Sequence, residues 1–242
     1  MAGKKRTSRK KTAAKTRAFR PFRRLTVWVL RVGIALWGLS LVWIALYAVI
    51  DPPSTFYIRQ EENRLGKIER QWAGLDWIAP VMVRSVVAAE DANFCDHWGF
   101  DMSAIRAAIE DGATRGASTL SQQVVKNTFL WQGRSWPRKA LETLMTPMVE
   151  LVWTKRRILE VYLNVAEFDE GVFGVDAAAR HYFGIGPDQL SPVQAARLAA
   201  ILPAPKDRSA SKPSAFLRRR AEVIRDGAET IRRDGRAACF ED

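Results

Sequence analysis

The spacing of apolar residues changes several times along the chain. An uncharged run of nineteen residues, 32–50, follows Arg31 and ends at Asp51. At a rise of about 1.5 Å per residue, a helix of this length spans roughly 28 Å, close to the bilayer core of about 30 Å. The run extends back to Leu25, because an arginine near a helix end can direct its charge to the interface. The pattern predicts a single N-terminal transmembrane helix over residues 25–50.

Helical periodicity dominates the rest of the chain. From residue 76 to residue 205, apolar residues recur every three or four positions, which is typical of amphipathic helices. Residues 51–75 are polar and lack this period, so we expect a juxtamembrane linker there. No segment shows convincing strand alternation. The pattern therefore predicts a mainly α domain over residues 76–242.

Capping residues indicate where several of these helices begin and end. Asp101 stands at the N-cap position of one helix, and Gly112 follows it as a stop signal. Thr119 and Gln122 have the spacing of a capping box. Ser191 and Pro192 indicate the start of a later helix, because serine is favoured at the N-cap and proline at the first helical position.

The charge of the chain is concentrated at its N-terminus. The formal net charge is +12, and residues 1–24 hold eleven Lys or Arg and no acid, which leaves 27 basic against 26 acidic residues elsewhere. A basic tail is compatible with nucleic acid, but here a membrane segment follows at once, and such flanking basic residues stay in the cytoplasm. We expect a cytoplasmic tail over residues 1–24, no nucleic-acid partner, and an exported body. A cleaved signal peptide is the less favoured alternative, because the apolar run exceeds a typical signal core.

The two cysteines, Cys95 and Cys239, are far apart in the sequence. They could pair in an oxidising compartment, but one distant pair is weak evidence for a disulfide, and we expect free thiols. Two cysteines and two histidines at unrelated positions do not make the spacing of a zinc site.

Glu90 is the first candidate for chemistry. It shares a helical stripe with Val86 and Phe94, whereas Asp91 lies about 100° further round. A carboxylate against apolar walls loses hydration, so its pKa rises and it becomes a useful acid or base near neutral pH. The alternative is a carboxylate satisfied by an arginine or a backbone cap.

The stretch "GASTLSQQVVKN" is the second candidate. Its hydroxyl residues crowd a helix N-terminus, where free N–H groups and the helix dipole favour an anion. Gln123, Lys126 and Asn127 follow on one face, and the lysine could add charge to a phosphate site. The alternative is an ordinary capped helix with a solvated polar face.

The stretch "RSWPRKALETL" is the third candidate. Arg138 and Glu142 are four residues apart, which is often only a surface ion pair. Glu142 is also aligned with Met145 and Val149, so a second carboxylate can face the interior. The basic residues around it suit a phosphate-bearing substrate.

Six segments in order, between about residues 78 and 206, resemble the peptidoglycan glycosyltransferase family, in particular its monofunctional biosynthetic transglycosylases. The same domain stands at the front of bifunctional penicillin-binding proteins. The segments are "AAEDANFCDHWGFD", "GASTLSQQVVKN", "RKALETLMTPMVE", "KRRILEVYLN", "GVFGVDAAARHYFG" and "LSPVQAARLAAILPAP". Six ordered motifs make the resemblance specific, and the predicted membrane anchor also fits the family.

The resemblance implies a lysozyme-like α fold, with residues 76–242 as a periplasmic glycosyltransferase domain on the inner membrane. It implies that the enzyme polymerises lipid II into β-1,4 glycan strands and releases undecaprenyl pyrophosphate. The growing glycan strand and the membrane would be its partners, and cell-wall synthesis or division proteins are further candidates. No cofactor is certain, and a divalent metal, Mg²⁺ or Mn²⁺, is an open option.

The resemblance also implies roles for individual residues. Glu90 would be the general base, and Glu142 would orient or stabilise the donor. Asp91 and His97 would support the Glu90 helix. Groups that hold sugar or phosphate oxygens, or stabilise the departing pyrophosphate, would be Ser118, Gln123, Lys126, Asn127, Arg138 and Lys139.

Two other functions compete with this interpretation. A lysozyme-like hydrolase could share the fold and needs only one glutamate, but a neutral glycan does not require the cationic groups of the second and third motifs. A membrane-anchored scaffold could keep the fold without activity, although the retained carboxylates argue against it.

Overall fold

The computed structural model describes residues 20–112 and 116–241, together with Gly3. Most of the predicted basic tail lies outside these residues. The α-helices are α1 (Arg20–Tyr47), α2 (Phe56–Leu65), α3 (Pro80–Glu90), α4 (Met102–Glu110), α5 (Leu120–Phe129), α6 (Trp136–Val152), α7 (Lys155–Val165), α8 (Val175–Phe183), α9 (Pro192–Ile201), α10 (Ala215–Arg233) and α11 (Ala238–Glu241). The strands are β1 (Glu69–Arg70), β2 (Glu167–Asp169) and β3 (Val172–Phe173). The predicted mainly α class is confirmed.

The chain forms two units, residues 1–42 and residues 43–242. Apart from Gly3, the described part of the first unit belongs to α1. Residues Arg23–Tyr47 form a stretch of 25 residues that includes an 18-residue window of mean hydropathy 2.0, so it is long and apolar enough to cross a membrane. Most of its apolar side chains in the first unit are exposed, as a lipid-facing helix requires. The predicted N-terminal helix is therefore present, ending at Tyr47 rather than at residue 50.

The core of the second unit, which we call the body, is built from two groups of packed helices. Helices α3, α9 and α10 form one group, and α5 packs on α6 and α7 in the other. The apolar stripe predicted for α3 is buried at Val83, Val86 and Val87. The last turn of α1 also belongs to the body, where Trp153 Nε1 donates to the Ile44 carbonyl over 2.7 Å.

A small sheet joins the helices, and the sequence pattern did not predict it. Its strand order is β1–β3–β2, with β1 parallel and β2 antiparallel to β3. Strands of two or three residues are too short for alternation to be visible. Gly174 precedes α8 with φ of 87°, and an added Cβ there would lie 3.3 Å from the Asn164 carbonyl oxygen, so the turn needs glycine.

The structure corrects the prediction of a linker over residues 51–75. This segment contains α2 and β1, and the side chains of Ile58 and Glu61 are buried. The prediction was wrong because α2 is mostly polar, and its buried glutamate is satisfied by ion pairs with Arg64 and Lys206.

The apolar residues that precede α3 differ in their exposure. Leu75 and Ile78 are buried in the body, whereas Trp77 is 73 % exposed. Periodicity alone could not separate these neighbours, because a 3₁₀ turn at Leu75–Trp77 changes their directions.

The two cysteines form a disulfide rather than the expected free thiols. Cys95 lies in a 3₁₀ turn after α3, and Cys239 lies in α11, 144 residues later. The pairing depends on how the C-terminal segment folds back on the body, which spacing in the sequence does not reveal.

Candidate active site

Glu90 is the last residue of α3, and its carboxylate is shielded from water. One oxygen, Oε2, accepts a hydrogen bond of 2.9 Å from Gln123 Nε2. The other, Oε1, is buried and finds no hydrogen-bond partner among residues 20–112 and 116–241. Burial raises the pKa of Glu90, against the opposing effects of the Gln123 hydrogen bond and of the Arg220 and Lys126 charges. The sequence prediction of a carboxyl group in a dry setting agrees with this geometry.

Asp91 connects the end of α3 to the start of α5. Its Oδ2 accepts from the backbone N–H of Leu120 over 2.9 Å, and its Oδ1 lies 2.9 Å from His97 Nε2. Leu120 is the first residue of α5, where backbone N–H groups have no partner within the helix. The pair predicted to support the Glu90 helix therefore also fixes the position of α5.

Helix α5 presents the polar face predicted from its sequence. The Thr119–Gln122 capping box is present. Below it, buried Ser121 donates to Glu150, which is paired with Lys155.

Lys126 and Asn127, two predicted site residues on α5, differ in whether their side chains are hydrogen-bonded. The side chain of Lys126 makes no hydrogen bond or ion pair within the described part of the chain, and burial lowers its pKa although Glu142 and Glu90 oppose the effect. Asn127 Oδ1 accepts from Gln132 over 3.2 Å. The ammonium group of Lys126 is thus held near both glutamates with free donors.

Glu142 lies on the face of α6 that is buried in the body, as predicted, and both of its carboxylate oxygens are paired. Arg138 Nη1 donates to Oε2 over 2.8 Å, and Lys139 Nζ donates to Oε1. Lys139 also reaches Ser118 Oγ at 3.4 Å. The structure therefore places the predicted site residues close to one another. Their individual roles remain predictions.

The described residues offer few protein ligands for a divalent metal. No group of three or more His, Cys, Asp or Glu residues that could hold an ion occurs in the described ranges. Both oxygens of Glu142 are occupied by cationic side chains. These residues therefore do not by themselves form a protein cage for Mg²⁺ or Mn²⁺, which commonly take further oxygen ligands from water and substrate phosphates.

The sequence analysis missed several residues of this site. Tyr162 donates to Gln123 Oε1 over 3.3 Å, and it lies in a quoted motif without an assigned role. Arg220 of α10 acts electrostatically on Glu90. Arg220 lies in a charged amphipathic segment whose polar residues are typical of a solvated helix face, so the sequence does not indicate its place near Glu90.

A cleft of about 370 Å³ extends from Gln123 and Lys126 to a second polar cluster. Tyr57 donates to Glu167, whose other oxygen lies 3.4 Å from Lys206 Nζ. Burial raises the pKa of Glu167. These three residues come from distant segments, so no local motif indicates them.

A larger cavity, of about 740 Å³, lies elsewhere on the body. It is lined by β1, the loop after it and the first turns of α8, and includes Trp72, Trp77 and Arg180. None of the predicted site residues lines it. We place the candidate site at the smaller cleft because Lys126 lines it, and because Gln123, which also lines it, donates to the shielded Glu90 carboxylate.

The chain is similar to known proteins over most of its length. Residues 59–228 match the signature of the family described as Transglycosylase. A biosynthetic peptidoglycan transglycosylase from Jannaschia sp. (strain CCS1) is 62 % identical over 213 residues, covering 88 % of this chain and 89 % of that protein. Proteins of the same name from Stutzerimonas stutzeri (strain A1501) and Rhodospirillum centenum (strain ATCC 51521 / SW) are 48 % and 46 % identical, covering 79 % and 88 % of this chain and 84 % and 95 % of their own lengths.

Proposed function

The chain belongs to the transglycosylase family and is a glycosyltransferase, and from this premise we propose that it polymerises lipid II into β-1,4 glycan strands with release of undecaprenyl pyrophosphate. The names of its relatives support peptidoglycan as the product. The observation that carries the proposal is the shielded Glu90 carboxylate near Lys126, where one carboxylate oxygen and the ammonium group have no hydrogen-bond partner among the residues that the structure describes.

Glu90 acts as the general base. It takes the proton from the acceptor's 4-hydroxyl as that oxygen bonds to C1 of the growing strand, and the bond from C1 to the phosphate oxygen breaks. The pyrophosphate leaves with the electron pair. An α-linked donor gives a β-linked product, so one inverting displacement is sufficient and no covalent intermediate is needed. Burial makes this carboxylate a stronger proton acceptor than an exposed one.

The basic residues stabilise the leaving group. Lys126 has free donors, while Arg138 and Lys139 are held in place by Glu142. Preorganised charges of this kind favour a transition state in which negative charge develops on phosphate oxygens. An adjoining cavity of about 300 Å³, lined by Trp136, Arg138 and Lys139, offers an apolar wall beside the cations. It suits a pyrophosphate that carries a lipid.

The cleft on the other side of Gln123 receives the acceptor sugar. Gln123 both contacts Glu90 and lines this cleft, so an acceptor there has its hydroxyl close to the base. Tyr57, Glu167 and Lys206 at the far end supply donors and acceptors for a polar ligand. Glu90 therefore stands between a cationic donor half and a polar acceptor half.

The body works at the surface of the inner membrane, on the periplasmic side. Helix α6 carries a stripe of exposed apolar side chains, in which Trp136 is 89 % exposed and Leu144 and Leu151 are also exposed. Contiguous apolar surface next to a lipid-binding site favours contact with the bilayer. The disulfide is consistent with an oxidising compartment outside the cytoplasm.

The test is polymerisation of labelled lipid II by the full-length protein in detergent. We expect polymer from the wild type and from Glu222→Gln, an exposed glutamate of α10, and none from Glu90→Gln. Soluble fragments released from finished cell wall, without polymer from lipid II, would establish the hydrolase instead. Equal polymerisation by Glu90→Gln would refute the assignment of the base.

A further inference from the structure

The segment after α10, residues 234–241, folds back against the loop that follows Glu90. We call this segment the C-terminal clasp. It is joined to the loop by the Cys95–Cys239 disulfide and by a hydrogen bond of 3.0 Å from Arg236 Nη1 to the Ala92 carbonyl. The clasp therefore holds residues two to five positions beyond the proposed base.

The clasp is itself fixed to the helical core. Glu241 forms an ion pair of 2.6 Å with Arg84 of α3. The Phe240 carbonyl accepts from Arg156 of α7 over 3.1 Å, and the Phe240 side chain is buried. Because these contacts tie the clasp to two core helices, the disulfide transmits their rigidity to the loop.

The loop, residues 91–97, is held at its two ends, where Asp91 accepts from the Leu120 N–H and the His97 carbonyl accepts from Lys155 Nζ, and it has few restraints between them. Ala92, Asn93 and Asp96 are exposed, so Phe94 supplies its main buried apolar side chain. Its backbone is held by single turn hydrogen bonds, including those of 3.0 Å from Phe94 N to Asp91 O and 2.8 Å from Asp96 N to Asn93 O. Segments with few buried contacts open locally at low free energy. Without the disulfide, opening of this loop would begin at exposed Ala92, two residues from Glu90.

We propose that the Cys95–Cys239 disulfide is a positioning element for Glu90, which keeps the end of α3 closed over the carboxylate through the loop it crosslinks. The proposal rests on the function proposed above. Loss of the bond lets the loop open, moves the carboxylate and admits water to it. The chemical step then slows, whereas substrate binding by the basic residues of α5 and α6 is kept.

A pH profile separates positioning from general stability. The ionisable groups that act on Glu90 are Arg220 of α10, Lys126 of α5, Tyr162 of α7 and neighbouring Asp91. None of them belongs to the clasp, so removing the disulfide changes the hydration of Glu90 without removing a charge. The acid limb of the kcat/KM profile should move to lower pH.

The experiment compares full-length wild type with the Cys95→Ser/Cys239→Ser double variant on lipid II, well below the unfolding temperatures of both. We expect kcat to fall about tenfold or more, in line with the cost of a small misplacement of a catalytic group, with KM nearly unchanged. Hydrogen exchange at the amides of Asp91, Phe94 and Asp96 should become faster. Leu190→Ala, a buried residue near the start of α9, is the matched control for lost stability and should alter neither the pH profile nor this exchange.

Three results would overturn the proposal: unchanged exchange in the loop, an unmoved acid limb, or the same changes in Leu190→Ala. Failure of the proposed function gives a different result, because oxidised wild type would then make no polymer from lipid II. The exchange measurement does not depend on activity, so it decides whether the disulfide holds the loop in either case.

Discussion

Replacing Asp91 by alanine should cost both stability and activity. The change leaves two buried groups without their acceptor, the Leu120 N–H and His97 Nε2, each now 2.9 Å from a carboxylate oxygen. An orphaned buried polar group costs about 1–3 kcal/mol, so the free energy of unfolding should fall by about 2–6 kcal/mol. That is a large part of the roughly 5–15 kcal/mol that typical proteins have. A shift of α5 by about 1 Å would also move Gln123 and Lys126 and lower polymerisation about 100-fold.

Urea unfolding of the full-length protein in detergent, followed by tryptophan fluorescence, measures the first effect, and lipid II polymerisation measures the second. Asp96→Ala is the matched control, because this exposed aspartate lies in the same loop and should change stability by less than about 0.5 kcal/mol. Asp91→Asn keeps one acceptor oxygen and should fall between the two. If Asp91→Ala unfolds like Asp96→Ala, the carboxylate does not hold the start of α5 and the reasoning fails.

Three further perturbations test the same structure. Glu90→Gln should lower polymerisation about 10²–10⁴-fold. Burial raises the pKa of Glu90, so the contribution of this group to stability is present below the pKa of the unfolded glutamate and is lost as pH rises through the folded pKa. At pH 7 the free energy of unfolding of Glu90→Gln should therefore equal or exceed that of the wild type. A lower free energy of unfolding would contradict this argument. Lys126→Met should lower kcat about 10²–10³-fold in the same assay, and an unaffected rate would exclude Lys126 from leaving-group stabilisation. Reducing the disulfide, which closes a loop of 144 residues, should remove about 5 kcal/mol of stabilisation. Calorimetry in dithiothreitol should therefore show a Tm about 10–20 °C lower. An unchanged Tm would refute the loop-closure argument.

The features that the sequence predicted well depend on interactions within one helical turn. The Asp101 side chain accepts from Ser103 N and Ala104 N as an N-cap should, and the Thr119 capping box is formed. The inward direction of Glu142 follows from the helical period. Signals of this kind are visible in a sequence because both partners lie within four residues of each other.

The features that the sequence did not reveal depend on contacts between distant segments. Tyr57 and Glu167 are separated by 110 residues, and the two cysteines by 144. The polar side chains of α2 indicate a solvated linker in the sequence, because their partners are distant: Tyr57 bonds to Glu167 of β2, and Glu61 pairs with Lys206 in the segment before α10. Arg220 gave no signal for the same reason, since only the packing of α10 on α3 brings it near Glu90.

In the periplasmic location proposed above, the disulfide also fixes the order in which the chain can be completed. It closes a covalent ring that contains α4 to α10, while Glu90 stands just outside the ring. Because Cys239 follows all of these helices, the ring closes only after every one of them has been translocated. A chain cut by a protease inside the ring keeps its two pieces joined, whereas a cut between α1 and α2 leaves no covalent link between α1 and the helices that follow it. Oxidation of this single pair therefore marks a body that has been delivered through α10.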